Sequence, residues 1–147
     1  MPRYTRDTAA RGAPDRGIFL FHEPLVWVAS DQHEAWRRDP LPLALHELGN
    51  RFRSEVLAGI AALGRNYRVV YGSANITGQL AIVEAGLAVA ALAKSSAPSH
   101  FKLLDAKHGL PDLPRMEVAL VRSRDAKRSR AVDAMQNEIL QVLGETA

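Results

Sequence analysis

The sequence predicts an α/β fold, a mainly parallel sheet with flanking helices. Two observations carry this. Between Leu43 and Ala93 the apolar pattern reads strand, helix, strand, helix, strand, and such a series implies right-handed crossovers in a mainly parallel sheet. The runs at Leu25 to Ala29 (LVWVA) and Leu87 to Ala93 (LAVAALA) are continuously apolar. Continuous runs fit strands covered on both faces, whereas half-wet strands alternate.

The elements follow in order. Residues 1 to 17 hold Pro2, Gly12, Pro14 and Gly17 with few apolar side chains, and read as an irregular arm. Ile18 to Phe21 is a short strand candidate, broken at Glu23-Pro24, and Leu25 to Ala29 is a stronger one ended by Ser30-Asp31. Residues 31 to 42 are polar with two prolines and read as loop. Leu43-Ala44-Leu45 is a further short strand. Phe52, Val56, Leu57, Ile60 and Leu63 then share one helical face, with Asn50 placed to cap its start and Gly64 its end.

Arg68 to Tyr71 reads as a strand. A second helix carries Ile76, Leu80, Val83 and Leu87, with Ser73 or Asn75 as its cap and Gly86 as its stop. Phe101 to Leu104 is a short strand, residues 105 to 115 a loop, and Met116 to Val121 a strand with one wetter face. A last helix spans roughly Asp125 to Leu143, with Ala131, Met135, Ile139, Val142 and Leu143 on its apolar side. The domain plan is thus an arm at 1–17, a lobe at 18–123 and a terminal helix at 124–147.

Composition narrows function. With no cysteine, the 147-residue chain holds no disulfide, thiolate zinc site or cysteine nucleophile. No apolar run approaches the roughly 18 residues of a membrane helix, and the N-terminus lacks the apolar centre of a signal peptide. A cytoplasmic protein with no membrane partner is the expectation. The net charge of +3 comes largely from arginines near the start and from Arg122, Arg124, Lys127, Arg128 and Arg130. With Asp7, Asp15 and Asp125 interspersed, these read as solvated surface.

The five histidines, His22, His33, His46, His100 and His108, include no i, i+4 pair and no adjoining carboxylate cluster, so no metal site is expected. A nucleophile elbow, a P-loop and a dinucleotide loop are all missing. Gly72-Ser73-Ala74-Asn75 lacks the second glycine of the last. The chain is therefore expected to be no enzyme and to need no cofactor. Trp27, flanked by Leu25, Val26 and Val28, reads as core, and Trp36, in a polar loop, as the more exposed aromatic, placed to cover a cleft edge or to pack down on the strand.

Several segments carry a resemblance. Glu23 to Ser30 (EPLVWVAS) resembles the strand that opens the second lobe of the effector-binding domain in LysR-type transcriptional regulators. Leu43 to Arg53 (LALHELGNRFR) resembles the strand-to-helix junction that follows. Val70 to Leu92 (VYGSANITGQLAIVEAGLAVAAL) resembles the family's helix feeding a buried strand, and residues 117 to 143 its returning strand and terminal helix. Each motif alone is weak, and their order and spacing are what is specific.

Two positions depart from the pattern. Many relatives carry glycine at the position of Ala88 and proline at that of Ala93, and the second change loosens a loop that borders the cleft. The resemblance implies one lobe of a type 2 periplasmic-binding-protein-like domain, which closes with a first lobe on a small effector. It also implies that the winged helix-turn-helix and most of the first lobe belong to a longer chain. Leu140 and Leu143, without that lobe, would be exposed or drive self-association. The partners implied are a small-molecule effector, anions included, and further copies of the chain. Specific DNA binding by this chain alone is not expected; an interaction module that pairs with intact regulators is the alternative, and a small α/β enzyme, which would need an activated nucleophile, comes after it.

In such folds the ligand lies where strand C-ends and helix N-termini converge. That singles out His46, Glu47, Asn50 and Arg51 before the first helix, Ser73 and Asn75 before the second, and Ser30 at the end of the first main strand. Arg51 is the candidate bidentate partner for a carboxylate. The plainer alternative makes Ser73 and Asn75 simple caps and Arg51 a solvated helix residue.

Overall fold

The computed structural model describes residues 17–126 and 129–144. The arm predicted at 1–17 therefore lies outside the described residues except for Gly17, as do Lys127 and Arg128 of the basic run. Six strands and three helices follow one another: β1 (Ile18–Ala29), β2 (Leu41–Leu45), α1 (Arg51–Ala62), β3 (Tyr67–Gly72), α2 (Ile76–Glu84), β4 (Val89–Ala93), β5 (Lys102–Leu104), β6 (Arg115–Leu120) and α3 (Arg130–Leu143). They form two compact units. One is Pro24–Pro114, and the other takes the described residues up to Glu23 together with those from Arg115 onward.

In the unit Pro24–Pro114 the strand order is β3-β2-β4-β1-β5. β2 pairs in parallel with both β3 and β4, which is the arrangement the β-α-β-α-β pattern predicts. The sheet as a whole is mixed, because β1 runs antiparallel to β4 and to β5. The continuous apolar runs are explained by two covering layers. Trp27, Leu41, Leu43, Leu45, Val89 and Ala91 point to one face and meet Val56 and Ile60 of α1. Val28, Ala44, Ala88, Ala90 and Leu92 point to the other and meet Val83, Leu80 and Ile76 of α2. Alternate residues of each strand thus serve opposite layers.

Three local expectations are corrected. Glu23-Pro24 does not break β1, which runs unbroken to Ala29. Proline lacks an amide donor, and it is tolerated where the strand gives up one set of partners for another. Trp36 is not exposed: the 3-10 turn Ala35–Arg37 tucks its ring into the core. Leu87 lies beyond the end of α2 and is half exposed, so β4 begins only at Val89.

The other unit pairs β6 with β1 and packs α3 on them. The helix starts at Arg130, after Ser129 accepts a hydrogen bond from the amide of Val132. Residues Arg124–Ala126, expected within this helix, form a separate 3-10 turn. Leu140 and Leu143, expected to be exposed or to drive self-association, are half-buried with Ile139 against Leu20, Val118 and Leu120. Met135 and Val142, expected on the packed side, are about 60% exposed at 61% and 60%. The helix turns Ile139 and Leu143 inward, and Met135 and Val142 lie on the edge of that stripe.

One glycine is fixed by both conformation and space. Gly86 has φ +69°, and a Cβ there would stand 2.2 Å from Cγ of His33, while its carbonyl accepts Nη1 of Arg38 at 2.9 Å. The left-handed backbone costs an L-residue about 1–2 kcal/mol and overpacking at least another ~1 kcal/mol. Gly86→Ala is therefore expected to lose about 2–3 kcal/mol in guanidinium unfolding. A loss under about 0.5 kcal/mol, within the range of an ordinary surface substitution, would show that His33 moves aside freely.

Candidate functional site

The register fixes which ends meet. Leu45 pairs with Gly72, and Leu43 with both Val69 and Val89, so β2, β3 and β4 finish at one end of the sheet. The starts of α1 and α2 stand at that same end, because each helix follows its strand after a short loop. Six of the seven predicted site residues, His46, Glu47, Asn50, Arg51, Ser73 and Asn75, come together along this rim. Ser30 does not. It follows Ala29 on the antiparallel β1, and Ala29 pairs with Lys102, at the other end of the sheet. Its Oγ accepts the amide of Gln32 at 3.1 Å, and it is buried. An all-parallel reading of β1 put it with the rest.

Several rim residues spend polar atoms on the chain itself. Asn50 caps α1, its Oδ1 accepting the amide of Arg53 at 3.3 Å. Asn75 caps α2, its Oδ1 accepting from Thr77 at 2.9 Å. Oγ of Ser73 accepts the amide of Asn75 at 3.0 Å, and the amide of Ser73 donates to the carbonyl of Leu45. Capping leaves both asparagines their side-chain NH2 donors and Ser73 its hydroxyl proton. Arg51 is exposed and pairs with Glu55 at 2.5 Å, one turn along the helix.

The arginine over the strand ends is Arg53, two residues on. Its Nη1 donates to the carbonyl of His46 at 2.8 Å and would stand 3.1 Å from a Cβ at Gly72. At 100° per residue, Arg51 and Arg53 lie about 200° apart around the helix. Arg53 falls three before Val56 and seven before Ile60, on the inward stripe, and that periodicity is the signal that identifies it. No carboxylate pairs with Arg53 among the described residues. A guanidinium has five N–H donors, and only one is spent.

A second residue outside the sequence expectation is Gln79. It is fully buried in α2, its Nε2 donates to the carbonyl of Ser73 at 2.9 Å, and its Oε1 has no hydrogen-bond partner. A buried amide among apolar neighbours is costly unless it is bonded. Here it ties the start of the β3–α2 loop to the helix. Among the described residues no group of three or more His, Asp or Glu side chains is placed to hold a metal ion. No helix among them is long and apolar enough to cross a membrane.

The unit Pro24–Pro114 is thus a mixed sheet with two helical layers and a rim of hydrogen-bond donors at the C-ends of its parallel strands. The LysR substrate binding domain model matches residues 13–144, and the chain belongs to that family. It is an effector-binding domain of the regulator type, not an enzyme. The chain is 31% identical over 117 residues to the HTH-type transcriptional regulator DgdR of Burkholderia cepacia. That match covers 78% of this chain and 40% of DgdR, so the chain spans less than half the length of this relative.

Solved structures share the fold. The effector binding domain of QuiR in complex with shikimate superposes with a TM-score of 0.62 at 14% identity, over 94% of this chain and 70% of that one. The regulatory domain of HypT from Salmonella typhimurium in its apo form gives 0.64 at 15% identity, over 93% and 68%.

Proposed function

We propose that the chain binds a small organic acid at the carboxyl ends of β2, β3 and β4, as the sensing part of a LysR-type regulator. The observation that carries this reading is Arg53, a guanidinium with no carboxylate partner among the described residues, held over the glycine backbone at the strand ends. A carboxylate bridging its unspent edge would gain two charge-assisted hydrogen bonds. The caps of α1 and α2 bring further amide donors and favourable helix dipoles to the same place. The shikimate bound by QuiR is itself a carboxylate.

In this proposal Ser73 and Asn75 orient the acid, His46 and Asn50 border it, and Arg53 takes over the anchoring role first expected of Arg51. Self-association, absence of specific operator binding by this chain alone, and a cytoplasmic setting belong to the same proposal. So does the exposed edge of the apolar stripe of α3, with Met135 and Val142, as the surface that meets the rest of the regulator.

The test is calorimetric titration with a panel of shikimate, benzoate, succinate and acetate, and with uncharged shikimate methyl ester as control. At least one acid is expected to bind saturably and the ester not at all. If no acid binds, or the ester binds as well as its acid, the carboxylate reading is wrong.

A further inference from the structure

A different cluster of cations stands at the other end of the same sheet. A shallow depression of about 860 Å³ lies among the 3-10 turn Ala35–Arg37, the loop after α1 and the 3-10 turn Ala106–His108. Arg37, Arg65, Lys107 and His108 line it beside Trp36. Lys102 adds a charge 4.4 Å from the centre of the Trp36 ring. Arg37 is matched by Glu34 at 3.0 Å. Arg65, Lys102 and Lys107 form no ion pair among the described residues.

Arg65 is a fixed charge. Its Nη1 donates to the carbonyls of His108 at 3.0 Å and Gly109 at 2.9 Å, and its Nη2 to the carbonyl of Trp36. The guanidinium is thus anchored by neutral oxygens that leave its charge uncancelled. His108 is oriented too. Its Nδ1 lies 3.1 Å from the backbone amide of Asp105 and 3.1 Å from Oδ1 of the same residue, which fixes the ring and leaves Nε2 on its other side. Asp105 is the carboxylate at this rim, kept ionised below its usual range by the Lys107 amide first and by His108. Its Oδ1 caps that turn, accepting the amide of Lys107 at 2.9 Å and lying 3.1 Å from Nδ1 of His108.

We propose that this depression is a second, oxyanion-binding site that takes a phosphate group, separate from the acid site at the strand C-ends. The shape argues against an apolar ligand, because an open depression buries too little surface for hydrophobic affinity. The donors argue for phosphate over carboxylate. The Arg65 fork is already spent on carbonyls, and the charge of Arg37 is matched by Glu34. Point-charge donors remain, Lys107 foremost, and these suit the three oxygens of a phosphate better than the planar pair of a carboxylate.

The experiment is titration of the 15N-labelled chain with inorganic phosphate at fixed ionic strength, with glycerol 3-phosphate and acetate as further arms. Saturable shifts are expected at the amides of residues 107–109 with both phosphates and not with acetate. Binding by the ester means that the group is recognised when attached to a larger molecule, and binding by phosphate alone that the free ion is the ligand. Lys107→Glu, on an exposed side chain, is expected to weaken phosphate about tenfold with an unchanged melting temperature. Lys102→Gln is expected to weaken it less, and Arg53→Gln, at the other end of the sheet, not at all. The proposal is overturned if the shifts fail to saturate, if acetate reproduces them, or if Lys107→Glu binds phosphate as tightly as the parent. Its fate is independent of the acid site, which Lys107→Glu leaves intact.

Discussion

Replacing Trp27 by alanine lowers the free energy of unfolding by about 4 kcal/mol, the scale for emptying a buried indole site. Trp27 is 2% exposed and lies on β1, between β4 and β5. It packs on the α1 side of the sheet with Leu43, Leu104 and Leu110. Its Nε1 also donates to the carbonyl of Pro111 at 2.8 Å. The Pro111 ring in turn lies 3.2 Å from where a Cβ on Gly59 would be, so the indole clamps the 110–112 segment down on α1.

Two losses add, the apolar cavity and the unmade hydrogen bond, and Trp27→Phe separates them. Phenylalanine keeps most of the apolar contact and gives up the donor, so it is expected to cost about 1–2 kcal/mol. Guanidinium unfolding of both variants is the measurement. Domains of this size hold about 5–15 kcal/mol in total, so the alanine variant is left close to the folding threshold. A cost below about 1.5 kcal/mol for Trp27→Ala would place the indole outside the core, since buried tryptophans cost about 3–5 kcal/mol.

What the chain discloses about itself depends on how local each signal is. The parallel trio β2, β3 and β4 was legible because crossover helices leave a long, periodic trace between them. The helix caps at Asn50 and Asn75 were legible for the same reason, being local chemistry at known offsets. The antiparallel course of β1 was not, since the direction of a strand with no adjoining helix leaves no mark in its own residues. Its misplacement carried Ser30 to the wrong end of the sheet. Trp36 was read as exposed because its neighbours are polar. A 3-10 turn reverses the chain there and puts one apolar pair, Ala35 and Trp36, inward.

Within the site, the rim itself could be found from sequence and its anchor could not. Arg51 and Arg53 have the same chemistry two residues apart. Only the phase of the helix, set by Val56 and Ile60, decides which of them faces the strand ends. Gln79 was missed for a related reason, because a glutamine at an inward helical position looks like a solvated one until its surroundings are known. Its buried side chain, bonded to the carbonyl of Ser73, is what fixes the loop that carries Ser73 and Asn75.

Arg53→Gln is expected to weaken the acid that binds in the panel about a hundredfold, or roughly 2.7 kcal/mol. Removing the guanidinium deletes both the charge and the fork, and glutamine restores at most one neutral hydrogen bond. Stability is expected to change little, because among the described residues the Arg53 side chain makes a single hydrogen bond, to the carbonyl of His46. Arg51→Gln is the matched control. Its side chain is engaged with Glu55, and its affinity is expected to stay within about twofold, as for an exposed pair.

Gly72→Ala then tests the geometry rather than the charge. The new methyl group, 3.1 Å from Nη1, must push the guanidinium away from the strand ends. An intermediate loss is expected, with Arg53 still present. Should Arg51→Gln lose affinity and Arg53→Gln keep it, the acid would sit on the outer face of α1, and the glycine backbone beneath Arg53 would have no part in binding it.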